Sequence, residues 1–228
     1  MVLKKIITLP LCSICLVGQI SQAENSLILY PRGVGRISSK VGEDELATIY
    51  GKPNLTRVVL QEEDGRLRCA TILFRGTNKE IGIFWRDDPS NQASEPSPLD
   101  QHTCDRTPSR RNPESVDIRA NGGQSPSDWK TAHGVFAGIT LLSLEQINGA
   151  PIEFEASESC SNGGIMNWNG GTLEKLNGLF SNSRMSFNAE DIEGIRRGDV
   201  VSSKDISDST KMRIFLDRIS FYLSDNAG

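Results

Sequence analysis

The sequence has little histidine: His102 and His133 are the two in 228 residues, and neither stands in an HExxH or other paired-ligand spacing. A zinc site therefore has no ligand set here. The calcium-loop pattern is missing too, because Asp87-Asp88 lacks the central glycine and terminal glutamate that such a loop needs. No G-x-S-x-G elbow, phosphate loop or dinucleotide fingerprint occurs, so no cofactor and no metal are expected. There is no basic excess either. Twenty-five Lys and Arg against 29 Asp and Glu give a net charge of −4, and this dispersed acidity argues against nucleic acid as the partner. Long apolar runs are also lacking. Ile6 to Val17 spans about a dozen residues, short of the roughly 20 that a membrane-crossing helix needs, and nothing later is longer.

What is present begins with a leader. Met1 to Ala23 carries Lys4 and Lys5, the short apolar stretch, and a Ser21-x-Ala23 ending, the layout of a cleaved secretory signal. Cys15 follows Ile14 where lipid attachment requires a small residue, so lipidation is not expected. The reading is a soluble periplasmic or secreted protein with no membrane insertion after cleavage. Its 205 remaining residues carry a net charge of −6, and 37% apolar residues with 21 glycines suffice for a folded core. Cys69, Cys104 and Cys160 then face an oxidising compartment, where one pair is expected to close. Cys69 with Cys104 is the preferred disulfide, because Cys104 lies in a segment free to fold back; Cys160 with Cys104 is the alternative. The 35-residue loop would stabilise by about 3 to 4 kcal/mol on the chain-entropy model.

An internal repeat organises the rest. Ile37 to Pro53 and Val135 to Pro151 align at a constant offset of 98, pairing Ile37 with Val135, Val41 with Ile139, Leu46 with Leu144, Ile49 with Ile147, Gly51 with Gly149 and Pro53 with Pro151. Each copy reads as a short strand, then a two-turn helix ended by glycine and proline. Glu43, Asp44 and Glu45 suit the first helix start, with Leu46, Ile49 and Tyr50 as its apolar stripe. Thr140 caps the second, whose burying residues are Leu141, Leu144 and Ile147. Strands are expected at Thr56–Gln61, Leu67–Phe74 and Ile81–Trp85 around an Asp64-Gly65 turn. The second copy offers Ile152–Ala156, a turn at Asn162-Gly163-Gly164, Ile165–Trp168, and a late third strand at Ile219–Leu223. The fold expectation is α+β, a tandem duplication of a short helix packed on a small antiparallel sheet, with the two sheets able to join. The organisation is signal peptide 1–23, first repeat 24–88, proline-rich linker 89–113, and second repeat 114–228 with an insertion of about 40 residues before its last strand. Arg106, Arg110 and Arg111 form a basic cluster in the linker, read as a solvated loop or a contact for an anionic partner.

At Gly138, Thr140, Leu144, Ile147, Gly149 and Pro151, and more loosely in the first copy, the sequence resembles small envelope modules. These are the outer-membrane assembly lipoprotein BamE (SmpA/OmlA) group and the tandem-repeat β-lactamase inhibitor proteins, and the pattern also resembles two-repeat secreted bacterial proteins of no assigned function. The resemblance covers about 15 residues per repeat and implies a protein-binding role rather than catalysis.

The candidate binding surface is the amide- and glycine-rich run Ser161 to Gly171, with Trp168 between Asn167 and Asn169. That indole either stacks on a sugar or anchors in a partner's pocket, or it covers the sheet core while the glycines serve turns. Trp129 has the same two readings. One nucleophile arrangement remains in the composition, a thiol set against His102 or His133; export favours a disulfide or an inert buried thiol instead. The functional expectation is an exported, non-enzymatic binding module with a protein partner. The alternatives are an exported hydrolase or glycan-binding protein with its site near Trp168, and a structural envelope component.

Overall fold

The computed structural model describes residues 28–30, 33–61, 67–86, 101–106, 108–120, 125–156, 162–176, 184–186, 192, 196 and 198–223. Two short strands, β1 (Ile28–Tyr30) and β2 (Gly33–Val34), precede helix α1 (Glu43–Tyr50). The meander β3 (Leu55–Gln61), β4 (Leu67–Leu73) and β5 (Ile81–Trp85) follows, then helix α2 (Gln101–Arg106) and strand β6 (Pro113–Arg119). After β7 (Lys130–Thr131) come helix α3 (Leu141–Asn148), β8 (Glu153–Ala156), β9 (Asn162–Asn167), β10 (Arg184–Ser186), β11 (Val200–Ser202) and β12 (Phe215–Tyr222). Helices with antiparallel sheets make this an α+β fold, as the sequence predicts.

The helices form where local chemistry places them. α1 opens on three carboxylates beside its positive N-terminal end and closes on Gly51 at φ +88. α3 opens on Thr140, whose hydroxyl accepts from the Ser143 N–H at 3.2 Å, and closes on Gly149 in the left-handed region. Both cap glycines donate back to the residue four earlier, Ala47 and Glu145. The inward positions are Glu43 and Leu46 in α1, and Leu141, Leu144 and Asn148 in α3. Glu43 takes the inward place of the first turn, and Ile49 is left 40% exposed rather than buried in the expected stripe. Tyr50 is half-buried and meets Phe74 edge-on, with ring centroids 5.6 Å apart.

Nine strands form one sheet in the order β11-β8-β9-β10-β12-β6-β5-β4-β3, every neighbour antiparallel. Its centre is the pair β12 and β6, where Ile219 lies opposite Ile118. On one side of that pair stand β5, β4 and β3; on the other stand β10, β9 and β8 with β11 beyond. The sequence reading departs from this in three places. The third strand of the second half is β10, not Ile219–Leu223, which belongs to the central β12. Pro113 opens strand β6, and Gln101–Arg106 of the expected linker form helix α2, so these described parts of it are regular elements. Gly163 and Gly164 lie in strand β9 rather than a turn, because a Cβ at Gly163 would run into the Glu155 carbonyl oxygen across the ladder. The expected Asp64-Gly65 turn lies outside the described residues.

Alternation along the strands divides the sheet into two faces. Val116 and Ile118 of β6 and Ile219 of β12 point to the side that carries α1 and α3. There they join Leu46, Trp85, Leu144, Phe154 and Trp168 in one continuous core. The short helix Asp208–Lys211 lies on that side too, its Lys211 ammonium 2.8 Å from Glu145 of α3. The opposite face carries a smaller cluster of Val58, Ala70, Ile72 and Phe84 at one end.

Candidate functional site

Trp168 is 1% exposed and belongs to the main core, and Trp129 is fully buried in the same cluster. Neither indole is available to a ligand, which corrects the reading of either as an exposed anchor and removes the platform on which a glycan site near Trp168 would rest. Trp129 ties the two halves together instead. Its indole N–H donates to the Lys79 carbonyl in the β4–β5 turn at 2.8 Å.

The flanking asparagines are spent on structure. The Asn167 side chain accepts from the Asn169 N–H at 2.9 Å, and Asn169, at φ +50, donates to the Pro151 carbonyl at 3.1 Å. Buried Asn148 donates to the carbonyls of Trp168 (2.8 Å) and Ala150 (2.9 Å), and accepts from the Leu173 N–H (3.0 Å). A Cβ at Gly171 would collide with the Asn148 amide, so the glycine is required for this approach. The run from Asn162 to Gly171 is thus a strand, a core indole and a turn locked from α3.

Cys69 in β4 and Cys104 in α2 are both fully buried and lie near each other, but no disulfide joins them in this structure. Cys160 lies outside the described residues. The Cys104 thiol donates to the Val58 carbonyl at 3.4 Å, and Val59 is the cross-strand partner of Cys69. Gln101 holds α2 on the β3 edge, its amide bonding the Val59 N–H at 3.2 Å and the Arg57 carbonyl at 2.9 Å. These bonds occupy backbone groups that an edge strand otherwise offers to another chain. His102 and His133 are exposed, so no thiol–imidazole pair is assembled among the described residues.

Beside the cysteines lies a buried ionic network that sequence reasoning did not find. Glu43 accepts from Arg57 Nε at 3.1 Å and from Arg57 Nη2, and from the Thr71 hydroxyl at 2.7 Å. Arg110 Nη1 lies 3.9 Å away, and Thr71 in turn accepts from the Trp85 indole at 2.9 Å. Burial pushes the Glu43 carboxyl up, but the hydrogen bonds from Arg57 and Thr71 and the charges of Arg57 and Arg110 outweigh it and hold the group below its ordinary value. The same bond raises Arg57. Arg110 is therefore a core residue and not part of a solvated basic cluster; Arg106 and Arg111 remain exposed. With every oxygen of Glu43 engaged, this network is structural.

The remaining candidate is the sheet face turned away from α1 and α3, on which no helix lies among the described residues. At its centre the buried Asp117 accepts from the Ser220 hydroxyl, and its second oxygen lies 2.7 Å from Arg218 Nη2 and 3.5 Å from Arg119 Nη2. Tyr222 of β12, two residues along from Ser220, is 63% exposed, and further across the sheet Met166 of β9 and Val200 of the edge strand β11 are 56% and 60% exposed. At the β5–β4 end Arg68 stacks over the Phe84 ring at 5.2 Å and pairs with Glu114 at 2.7 Å. The signal for this face was present in the alternation of Ser115-Val116-Asp117-Ile118-Arg119 and of Arg218-Ile219-Ser220, with polar residues two apart. It becomes readable only once β6 is recognised as a strand.

Among the described residues no group of three or more His, Cys, Asp or Glu is placed to hold a metal ion, and no helix is long and apolar enough to cross a membrane. No protein-family model, curated protein or solved structure matches the chain.

Proposed function

We propose that the chain is an exported, non-enzymatic binding module that receives a protein partner on the sheet face opposite α1 and α3. The observation that carries this reading is the surface itself. It is a wide sheet with Tyr222 exposed on β12 near a hydrogen-bonded Arg218–Asp117–Ser220 cluster, and with Met166 of β9 and Val200 of the edge strand β11 exposed further across it. Tyr, Met and Arg are the side chains enriched where proteins bind proteins. The leader-like start and the resemblance of both helix segments to small envelope modules support an exported setting and a duplicated origin, in which α1 and α3 are the corresponding helices. In that setting the neighbouring Cys69 and Cys104 close into a disulfide that clips α2 to the sheet.

The test is affinity capture from the envelope fraction with mass spectrometry, run on the wild type, on a Tyr222→Ala/Met166→Ala variant, and on Ile49→Ala as a control on the helical side. The expected result is a protein captured by the wild type and by Ile49→Ala but lost from the double variant. Equal capture by all three would refute the choice of face.

A further inference from the structure

The two edges of the nine-stranded sheet are unequal. β11, at one edge, has three residues, and an edge that short offers little to another strand. β3, at the other, has seven, without proline or glycine and with Arg57 as its one charge. That charge does not guard the edge, because its guanidinium is turned to Glu43. The edge is guarded by α2 instead. Gln101 donates its amide to the Arg57 carbonyl at 2.9 Å and accepts from the Val59 N–H at 3.2 Å, so it stands where the backbone of a neighbouring strand would. The guard is lightly held. α2 has six residues, too few to be a stable helix by itself, and Cys104 is its one buried side chain. The Gln101 bonds lie at exposed positions, where water can replace them. A cavity of about 670 Å³ is lined by β3 from Leu55 to Leu60 and by Gln101 and Asp105, so α2 reaches this edge without filling the space along it.

We propose that β3 is a self-pairing edge latched by α2 through Gln101: when α2 lifts, β3 pairs antiparallel with β3 of a second copy and the two sheets become continuous. This surface is separate from the sheet face assigned above to the protein partner. The strand's own register selects the occupant. Overlap of all seven residues places Val58 opposite Val58 of the second copy, Arg57 opposite Val59, Thr56 opposite Leu60 and Leu55 opposite Gln61. Arg57 and Val59 are the residues whose backbone groups face away from β4, so in this register they meet as hydrogen-bonded pairs. The pairs reuse the Arg57 carbonyl and the Val59 N–H that Gln101 releases. No like charges stand opposite one another, and the β-branched Thr56, Val58 and Val59 suit an extended pair. Lifting α2 uncovers one cysteine side chain, a small loss beside the ladder gained.

Sedimentation velocity of the purified protein over a micromolar concentration series tests this, with dithiothreitol present so that Cys69 and Cys104 are thiols, as they are in the structure. Gln101→Ala is expected to form dimers about tenfold more tightly than the wild type, the effect of releasing one or two exposed hydrogen bonds. Adding Val59→Pro should return that variant to wild-type behaviour or weaker, because proline removes the edge-facing N–H and leaves the ladder to β4 intact. Adding Val59→Lys in its place should do the same by another route, setting an ammonium opposite Arg57 of the second copy while keeping the N–H, and it serves if the proline variant does not fold. Circular dichroism of each variant checks the fold. Hydrogen exchange supplies a local readout: the Val59 amide should exchange faster in monomeric Gln101→Ala than in the wild type and slow again in its dimer. Dimerisation of Gln101→Ala no tighter than that of the wild type would overturn the proposal. So would a dimer that persists in the folded double variants, or one whose Val59 amide exchanges as fast as in the monomer.

Discussion

Glu43→Gln tests whether the buried network beside α1 works as its geometry implies. The substitution keeps size and one acceptor oxygen, removes the charge, and turns an amide N–H toward a guanidinium. It weakens the bonds from Arg57 and Thr71 and leaves Arg110, with its side chain 2% exposed, facing an uncharged amide at the distance it held from a carboxylate. Breaking a fully buried pair costs about 3 to 5 kcal/mol, and Arg57, at 21% side-chain exposure, recovers part of this in water, so about 2 to 4 kcal/mol is expected. For a chain of this size that is a fall of about 5 to 15 °C in melting temperature. Urea unfolding followed by circular dichroism at pH 7 measures it. A pH series adds a sharper criterion. The folded carboxyl titrates below its unfolded value of 4.5, so its stabilisation is complete above that value and is lost as pH falls through the folded one. The wild type should lose stability in that acid window while the variant loses less, and the two curves should converge. A difference below about 1 kcal/mol at pH 7, or two curves that stay parallel into acid, would refute the account.

Trp168→Ala should cost about 3 to 5 kcal/mol of stability by emptying a core site, and a loss under about 1 kcal/mol in urea unfolding would return the indole to the surface. Leu46→Ala and Leu144→Ala, both fully buried one helix turn into α1 and α3, should each cost about 2 to 5 kcal/mol and in similar measure, because they fill equivalent places on one core. A midpoint unmoved by either substitution contradicts that equivalence. The secreted form should begin at Glu24 by intact mass, and thiol titration of that form after unfolding without reduction should find one group, from Cys160. Three groups would show that Cys69 and Cys104 stay reduced, and a mature chain retaining Met1 would remove the export reading.

Much of the backbone was legible because its signals are local. α1 and α3 fall where carboxylates, Thr140, Gly51 and Gly149 mark starts and stops, and β3, β4 and β5 fall where β-branched and aromatic residues alternate. These features act within a turn or a ladder of a few residues, so one segment suffices to read them. The α+β class follows from them. Strand β6 alternates but opens on the last proline of a proline-rich stretch, which masks it, and the three-residue strands β10 and β11 carry too few residues to show a period.

What only the tertiary structure decided is the partnership of distant segments. β12 pairs with β6 roughly a hundred residues earlier, and that pairing joins two meanders into one sheet and sets the side on which Asp117, Arg119 and Arg218 emerge. It also decided the fate of the residues that looked most functional. Trp168 has a polar, glycine-rich neighbourhood, yet Asn148 reaches across from α3 to hold its carbonyl and the indole turns into the core. Arg110 and Glu43 look like surface charges until the fold brings Arg57 and Thr71 against them. Burial is a property of what packs on the other side, and one residue's chemistry cannot state it. The sequence supplies strand faces as alternatives related by a one-residue shift; the cross-strand register chooses between them.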